Sequence, residues 1–123
     1  MKKFIKMMAL TAAAIGMSAG AAVAEPLKVG FLYLTTPGDH GWTYAHELAR
    51  QEVQAHFGDK VETTFVENVP EGPDAERVVR ELARQGNQVI FGTSFGYMDP
   101  MLKVSKDFPD CLLYTSPSPR DNR

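Results

Sequence analysis

Residues 27–34 read LKVGFLYL, and the polar-aromatic loop TPGDHGWTY follows almost directly at 36–44. The first stretch is a nearly continuous apolar run of β-favouring residues, which predicts a strand covered on both faces. The same combination of an apolar run and a polar-aromatic loop occurs again, where QVIF at 88–91 is followed by GTSFGYMD at 92–99. In open parallel sheets, ligands bind beyond the carboxyl ends of the strands, so the two loops predict one side of a binding cleft.

The stretch between these two pairs adds a helix, a strand and a second helix. Apolar residues at helical spacing predict a first helix from Trp42 to Phe57, with Gly58 as its C-terminal cap. Its apolar stripe consists of Ala45, Leu48, Ala49, Val53 and Phe57. The β-rich run 61–66 predicts a second strand. A second helix is expected over 75–85, with Asp74 as its N-cap.

A third helix is predicted after the second polar-aromatic loop. Asp99 and Pro100 fit the N-cap and first helical positions, and the helix is expected to continue to Phe108. The order of elements is then β-α-β-α-β-α, in which helix-length connections separate the strands. This order predicts an α/β fold with a parallel, doubly wound sheet and right-handed connections.

The first 24 residues have the features of a secretory signal peptide. Lys2, Lys3 and Lys6 precede an apolar stretch that ends in the cleavage pattern at 22–24, AVA. We expect the mature chain to begin at Glu25 in the periplasm, with no lipid anchor, because no cysteine stands at the cleavage site. The alternative, a membrane-spanning helix, is disfavoured because the apolar stretch is short and rich in small residues.

The last residues differ from the rest of the chain. The stretch 111–121, CLLYTSPSPRD, shows neither helical nor strand periodicity. Back-translated, it matches a transposase-based sequencing adapter read as codons. We therefore expect 111–123 to be non-native and Cys111, the only cysteine, to be foreign to the protein. The alternative is a genuine Ser/Pro-rich tail.

Charge and composition exclude several function classes. Residues 25–110 carry eight Lys/Arg and fourteen Asp/Glu, a formal charge of −6, which argues against a nucleic-acid partner. No phosphate-binding glycine loop follows the first strand, and the three histidines are not spaced as metal ligands. We expect neither a metal nor a cofactor.

The order and spacing of these segments resemble a known family. GDHGW at 38–42, VPEGPDAER at 69–77 and GTSFG at 92–96 are similar to the BMP family, the PnrA-like, basic-membrane-protein-type substrate-binding components of ABC transporters. The resemblance covers nearly all of 27–110 and implies part of the N-terminal lobe of a type I periplasmic binding protein. It also implies a small-molecule solute, most often a purine nucleoside, and permease and ATPase partners. The family usually has Phe and Asn where this chain has Trp42 and Thr43.

Six residues in the two loops are candidate ligand contacts: Asp39, His40, Trp42, Ser94, Phe95 and Tyr97. Trp42 would stack on a solute ring, although it could also be a core aromatic residue. Asp39 could accept hydrogen bonds from a solute or cap the first helix. Ser94 and Phe95 could contact the solute or only form the turn, and a solvated loop position would also suit His40.

Two other function classes stay open. Gly92 to Gly96 fits the letters of the G-x-S-x-G nucleophile elbow, so an exported hydrolase using Ser94 is conceivable. Its histidine and acid would have to follow later in the chain. The same binding lobe could also serve a membrane receptor as a sensor. The predicted function is therefore solute binding without catalysis, with the sensor and the hydrolase as alternatives.

Overall fold

A computed structural model describes residues 22–116 of the chain. It contains four strands and three α-helices in strict alternation. The strands are β1 (Leu27–Leu32), β2 (Val61–Val66), β3 (Val89–Gly92) and β4 (Leu112–Thr115). The helices are α1 (Trp42–Phe57), α2 (Pro73–Arg84) and α3 (Met98–Ser105). Short 3-10 turns precede β2, at Gly58–Lys60, and α3, at Phe95–Tyr97.

All four strands run parallel in the order β2-β1-β3-β4. Phe31 in β1 lies opposite Phe65 in β2 and Phe91 in β3, and Phe91 lies opposite Tyr114 in β4. One aromatic row therefore crosses the whole sheet. The parallel sheet and its helical connections confirm the predicted α/β fold class. The carboxyl ends of β1 and β3, which are neighbours, bring the two polar-aromatic loops together.

The main core lies between the sheet and the pair α2 and α3. It contains residues from both helices, from β1 and β3, and from the loops after β2 and β3: Leu32, Val69, Ala75, Val78, Val79, Leu82, Ile90, Tyr97, Met101 and Val104. Both helices lie on this side because the connections β2-α2-β3 and β3-α3-β4 advance across the sheet in the same direction. Helix α1 lies on the opposite face, because its connection runs the other way.

Helix α1 packs on the sheet with a different side from the one its sequence predicts. The expected apolar stripe is wrong, since Ala45, Leu48, Ala49 and Phe57 are exposed and only Val53 is half-buried. The buried residues of α1 are Thr43 and Glu47. The physical reason is that Tyr33 presents its hydroxyl to the helix and needs a polar partner when buried.

Three smaller expectations also differ from the structure. Gly72, not Asp74, precedes α2, and α3 begins at Met98, so Asp99 lies in its first turn; neither carboxylate is an N-cap. The predicted order of elements ends at the third helix, whereas the structure adds β4, which pairs with β3. A four-residue strand is too short to show a clear period. The foreign origin of 111–123 stays a prediction, which sequencing the locus from source DNA tests.

The proposed signal segment lies almost wholly outside the described residues. Within 22–116, no helix is long and apolar enough to cross a membrane.

Gly92 lies where β3 meets the packed side of α3. A Cβ there would stand 2.8 Å from Met101 Cε and 3.1 Å from Tyr97 Cβ, both in the core. Because overpacking a core typically costs about 1–3 kcal/mol, we expect Gly92→Ala to lower the stability of the complete protein by that amount. Urea unfolding measures it, with Gly38→Ala as the control because no atom lies within 4 Å of that position. Equal stability of the two variants would contradict this packing.

Candidate functional site

The loops after β1 and β3 are joined by hydrogen bonds through Thr93. Its backbone N–H and its hydroxyl both donate to the carbonyl of Leu32, at 3.1 and 2.7 Å. Its own carbonyl accepts from Trp42 Nε1 at 2.6 Å. These bonds fix the start of α1 against the segment after β3. The two loops therefore form one continuous edge, as their positions after neighbouring strands predict.

Trp42 presents an aromatic surface to solvent in a fixed orientation. The residue is 60% exposed, although its indole N–H is held by Thr93. On one side the His46 ring lies 4.8 Å from the indole, centroid to centroid, and His46 Nδ1 lies 2.8 Å from the Trp42 carbonyl oxygen. An indole that is partly exposed and held in place through its only polar atom is suited to stacking on a flat or ring-shaped solute.

Ser94 lies deeper in the same edge. It is buried, and its hydroxyl donates to Glu71 Oε1 while accepting from the backbone N–H of Gly96 at 3.3 Å. The second bond begins the 3-10 turn that precedes α3. Glu71, which is not among the six candidate residues, is therefore also part of this edge. Its one sequence signal is that it follows β2 in a parallel sheet.

The other candidate residues take different positions. Asp39 and His40 lie 2.5 Å apart, Oδ1 to Nδ1, with side chains more than nine-tenths exposed. Phe95 is 53% exposed at the rim of the edge. Tyr97 is fully buried, and its hydroxyl donates to the Val69 carbonyl at 2.6 Å. The expectation that Tyr97 contacts a solute is corrected here, because its ring fills the core and its polar atom is already paired.

A largely buried polar network lies between α1 and the sheet. Glu47 accepts hydrogen bonds from the Tyr33 hydroxyl at 2.9 Å and from Arg50 Nε at 2.8 Å. Arg50 also donates to Thr63 on β2 at 2.8 Å, which ties the helix to the sheet. The Arg50 guanidinium holds the pKa of Glu47 at about 2, even though burial acts to raise it. The network fixes how α1 sits on the sheet and thereby where Trp42 points.

No group of three or more potential metal ligands occurs among residues 22–116. What this part of the chain assembles is an exposed indole, a buried hydroxyl and a carboxylate along one sheet edge. Aromatic and hydrogen-bonding groups of this kind bind small polar rings.

Comparison with known proteins relates the chain to substrate-binding proteins of ABC transporters. Residues 27–114 match the family described as ABC transporter substrate-binding protein PnrA-like. The chain is 57% identical over 104 residues to a purine-binding protein of Brucella abortus (strain 2308), covering 85% of this chain and 30% of that protein. It is 42% identical over 93 residues to a Haloferax volcanii protein provisionally named an ABC transporter glucose-binding protein, covering 76% and 23%.

A solved structure has the same fold. An ABC transporter solute-binding protein from Conexibacter woesei superposes with a TM-score of 0.68 at 21% sequence identity, covering 76% of this chain and 30% of that one. The present chain thus spans less than a third of the length of each of these relatives. The match across 27–114 shows that the chain belongs to the PnrA-like family of ABC transporter substrate-binding proteins.

Proposed function

We propose that residues 25–110 form part of the N-terminal lobe of an exported protein that binds an uncharged ring-plus-hydroxyl solute, best represented by a purine nucleoside. The observation that carries the proposal is the anchored, solvent-facing indole of Trp42 beside Ser94. An aromatic face with nearby hydrogen-bonding groups recognises a flat ring bearing hydroxyls. The name of the Brucella abortus relative, a purine-binding protein, supports this class of solute.

In the proposed complete protein, a second lobe closes over the solute and supplies the remaining contacts. The loaded protein then delivers the solute to membrane permease and ATPase subunits that import it from the periplasm. The acidic composition disfavours an anionic solute and argues against a nucleic-acid partner. A receptor in place of the permease would use the same lobe, and the genes beside the locus distinguish the two roles.

Hydrolysis by Ser94 is disfavoured by its hydrogen bond. The hydroxyl donates to a carboxylate, Glu71, whereas an activated serine donates to a histidine that removes its proton. Relatives of this chain carry solute-binding names, which also favours binding over catalysis.

The proposal is tested by titrating the complete protein with adenosine, guanosine, inosine, uridine and glucose while tryptophan fluorescence is followed. We expect saturable binding of at least one purine nucleoside and a smaller fluorescence change in Trp42→Phe. The Trp42→Phe variant is needed because the rest of the complete protein can contain other tryptophans. A flat response of the folded protein to all four nucleosides would contradict the proposed class of solute.

A further inference from the structure

Glu71 reaches from the loop after β2 to the loop after β3. Its carboxylate accepts the Ser94 hydroxyl and lies directly over Gly96. A Cβ at Gly96 would collide with that carboxylate, so the glycine leaves the space that Glu71 occupies. The contact spans the width of β1, which lies between β2 and β3 in the sheet.

Glu71 and Trp42 flank the same short segment. The Trp42 indole is bonded to the carbonyl of Thr93, and Glu71 is bonded to the hydroxyl of Ser94, the next residue. The two side chains therefore bond to consecutive residues, Thr93 and Ser94, of one segment. The aromatic residue and the acceptor approach this segment from opposite sides, α1 and the β2 loop.

Much of the hydrogen-bonding capacity of Glu71 is unused. An ionised carboxylate has about four acceptor sites, and Ser94 takes one. Glu71 is exposed, and the ion pairs among residues 22–116 do not include it. The loops after β1, β2 and β3, residues 33–41, 67–72 and 93–97, contain neither Lys nor Arg. No Lys or Arg of these loops pairs with the carboxylate, which is therefore available to a donor from outside.

We propose that Glu71 is a specificity-determining residue of the solute site, whose carboxylate accepts a hydrogen bond from an N–H or O–H group of the solute. The inference rests on the proposed function and adds to it that the protein supplies the hydrogen-bond acceptor and the solute supplies the donor. Hydrogen bonds to an ionised carboxylate are about twice as strong as neutral ones, so a solute that offers a donor here is preferred over one that lacks it.

The test compares solutes that differ only in their donors. The complete wild-type protein, Glu71→Gln and the control Glu67→Gln are titrated by calorimetry with adenosine, with purine riboside, which lacks the exocyclic amine, and with a dideoxyadenosine, which lacks the ribose ring hydroxyls. Glu67 is exposed in the same loop. We expect the wild type to prefer adenosine over at least one analogue by about tenfold or more.

In Glu71→Gln that preference should fall to about threefold or less, whereas Glu67→Gln should keep it. An unchanged preference in Glu71→Gln would overturn the inference. Equal weakening of the binding of all three solutes in Glu71→Gln would also overturn it, because that result indicates a structural role. A wild type that binds the three solutes with equal affinity would overturn it as well. A folded wild type that binds none of the three overturns the inference, and the proposed function fails with it only if guanosine, inosine and uridine do not bind either.

Discussion

Replacing Glu47 with Leu is expected to destabilise the complete protein by up to about 3–5 kcal/mol, because it leaves the half-buried Arg50 charge without its carboxylate partner. The side chains of Glu47 and Arg50 are only 10% and 15% exposed, and the carboxylate also accepts from Tyr33 and Gln51. Removing the carboxylate therefore leaves both the Arg50 guanidinium and the buried Tyr33 hydroxyl without this acceptor. Urea unfolding followed by circular dichroism measures the loss.

Two matched variants show whether charge pairing is the cause. Glu52→Leu changes the same residue type on the exposed side of α1 and should alter stability by less than about 0.5 kcal/mol. The double variant Glu47→Leu/Arg50→Met removes both charges and should recover much of the loss, since apolar replacements of buried pairs are often nearly neutral. A Glu47→Leu protein as stable as Glu52→Leu would show that the network contributes nothing.

The pH dependence of the stability of Glu47→Leu measures the contribution of the Glu47–Arg50 ion pair independently. Hydrogen bonds from Arg50 lower the pKa of Glu47 from 4.5 to about 2 in the folded protein. A carboxyl with a depressed folded pKa stabilises fully above its unfolded pKa, and this contribution is lost as the pH falls through the folded value. The stability difference between wild type and Glu47→Leu should therefore shrink between pH 4.5 and about 2. A constant difference over that range would contradict the ion pair.

Replacing Trp42 with Ala is expected to weaken solute binding by about 5- to 150-fold, the equivalent of the roughly 1–3 kcal/mol that stacking on an aromatic side chain contributes per base. Trp42→Phe keeps a ring but loses the hydrogen bond to Thr93, so an intermediate loss is expected. Calorimetric titration with the nucleoside that binds most tightly measures both changes.

The control for Trp42 comes from the far end of the same helix. Phe57 is also an exposed aromatic residue, 47% exposed, but it lies at the opposite end of α1 from the site. Phe57→Ala should bind the solute as the wild type does. If Trp42→Ala also binds with wild-type affinity, the indole does not contact the solute and the proposed site is wrong.

Local patterns predict the elements of this fold well. The bounds of α1 and β2 follow from apolar spacing and from Gly58, because helix and strand periods are properties of the chain itself. The side of α1 that faces the sheet could not be predicted in this way. Glu47 looks like a surface residue in sequence, and only the neighbouring Tyr33 and Arg50 make its burial favourable.

Part of the candidate site could be predicted from the order of strands and loops along the chain. Trp42 and Ser94 follow strands that turn out to be neighbours, so the general rule for parallel sheets brings their loops together. Glu71 was missed because its contact with Ser94 depends on how the 67–72 loop crosses the end of β1. Tyr97 was misplaced because an aromatic residue after a strand can point to the core as readily as to the cleft.

A crystal structure of the complete protein with its tightest-binding nucleoside shows directly whether the solute binds at Trp42. We expect the base to stack on the exposed face of Trp42, with ring atoms about 3.5–4 Å apart, and the solute to contact the segment 93–96 as well. A nucleoside bound with Trp42 and this segment both out of contact would contradict it.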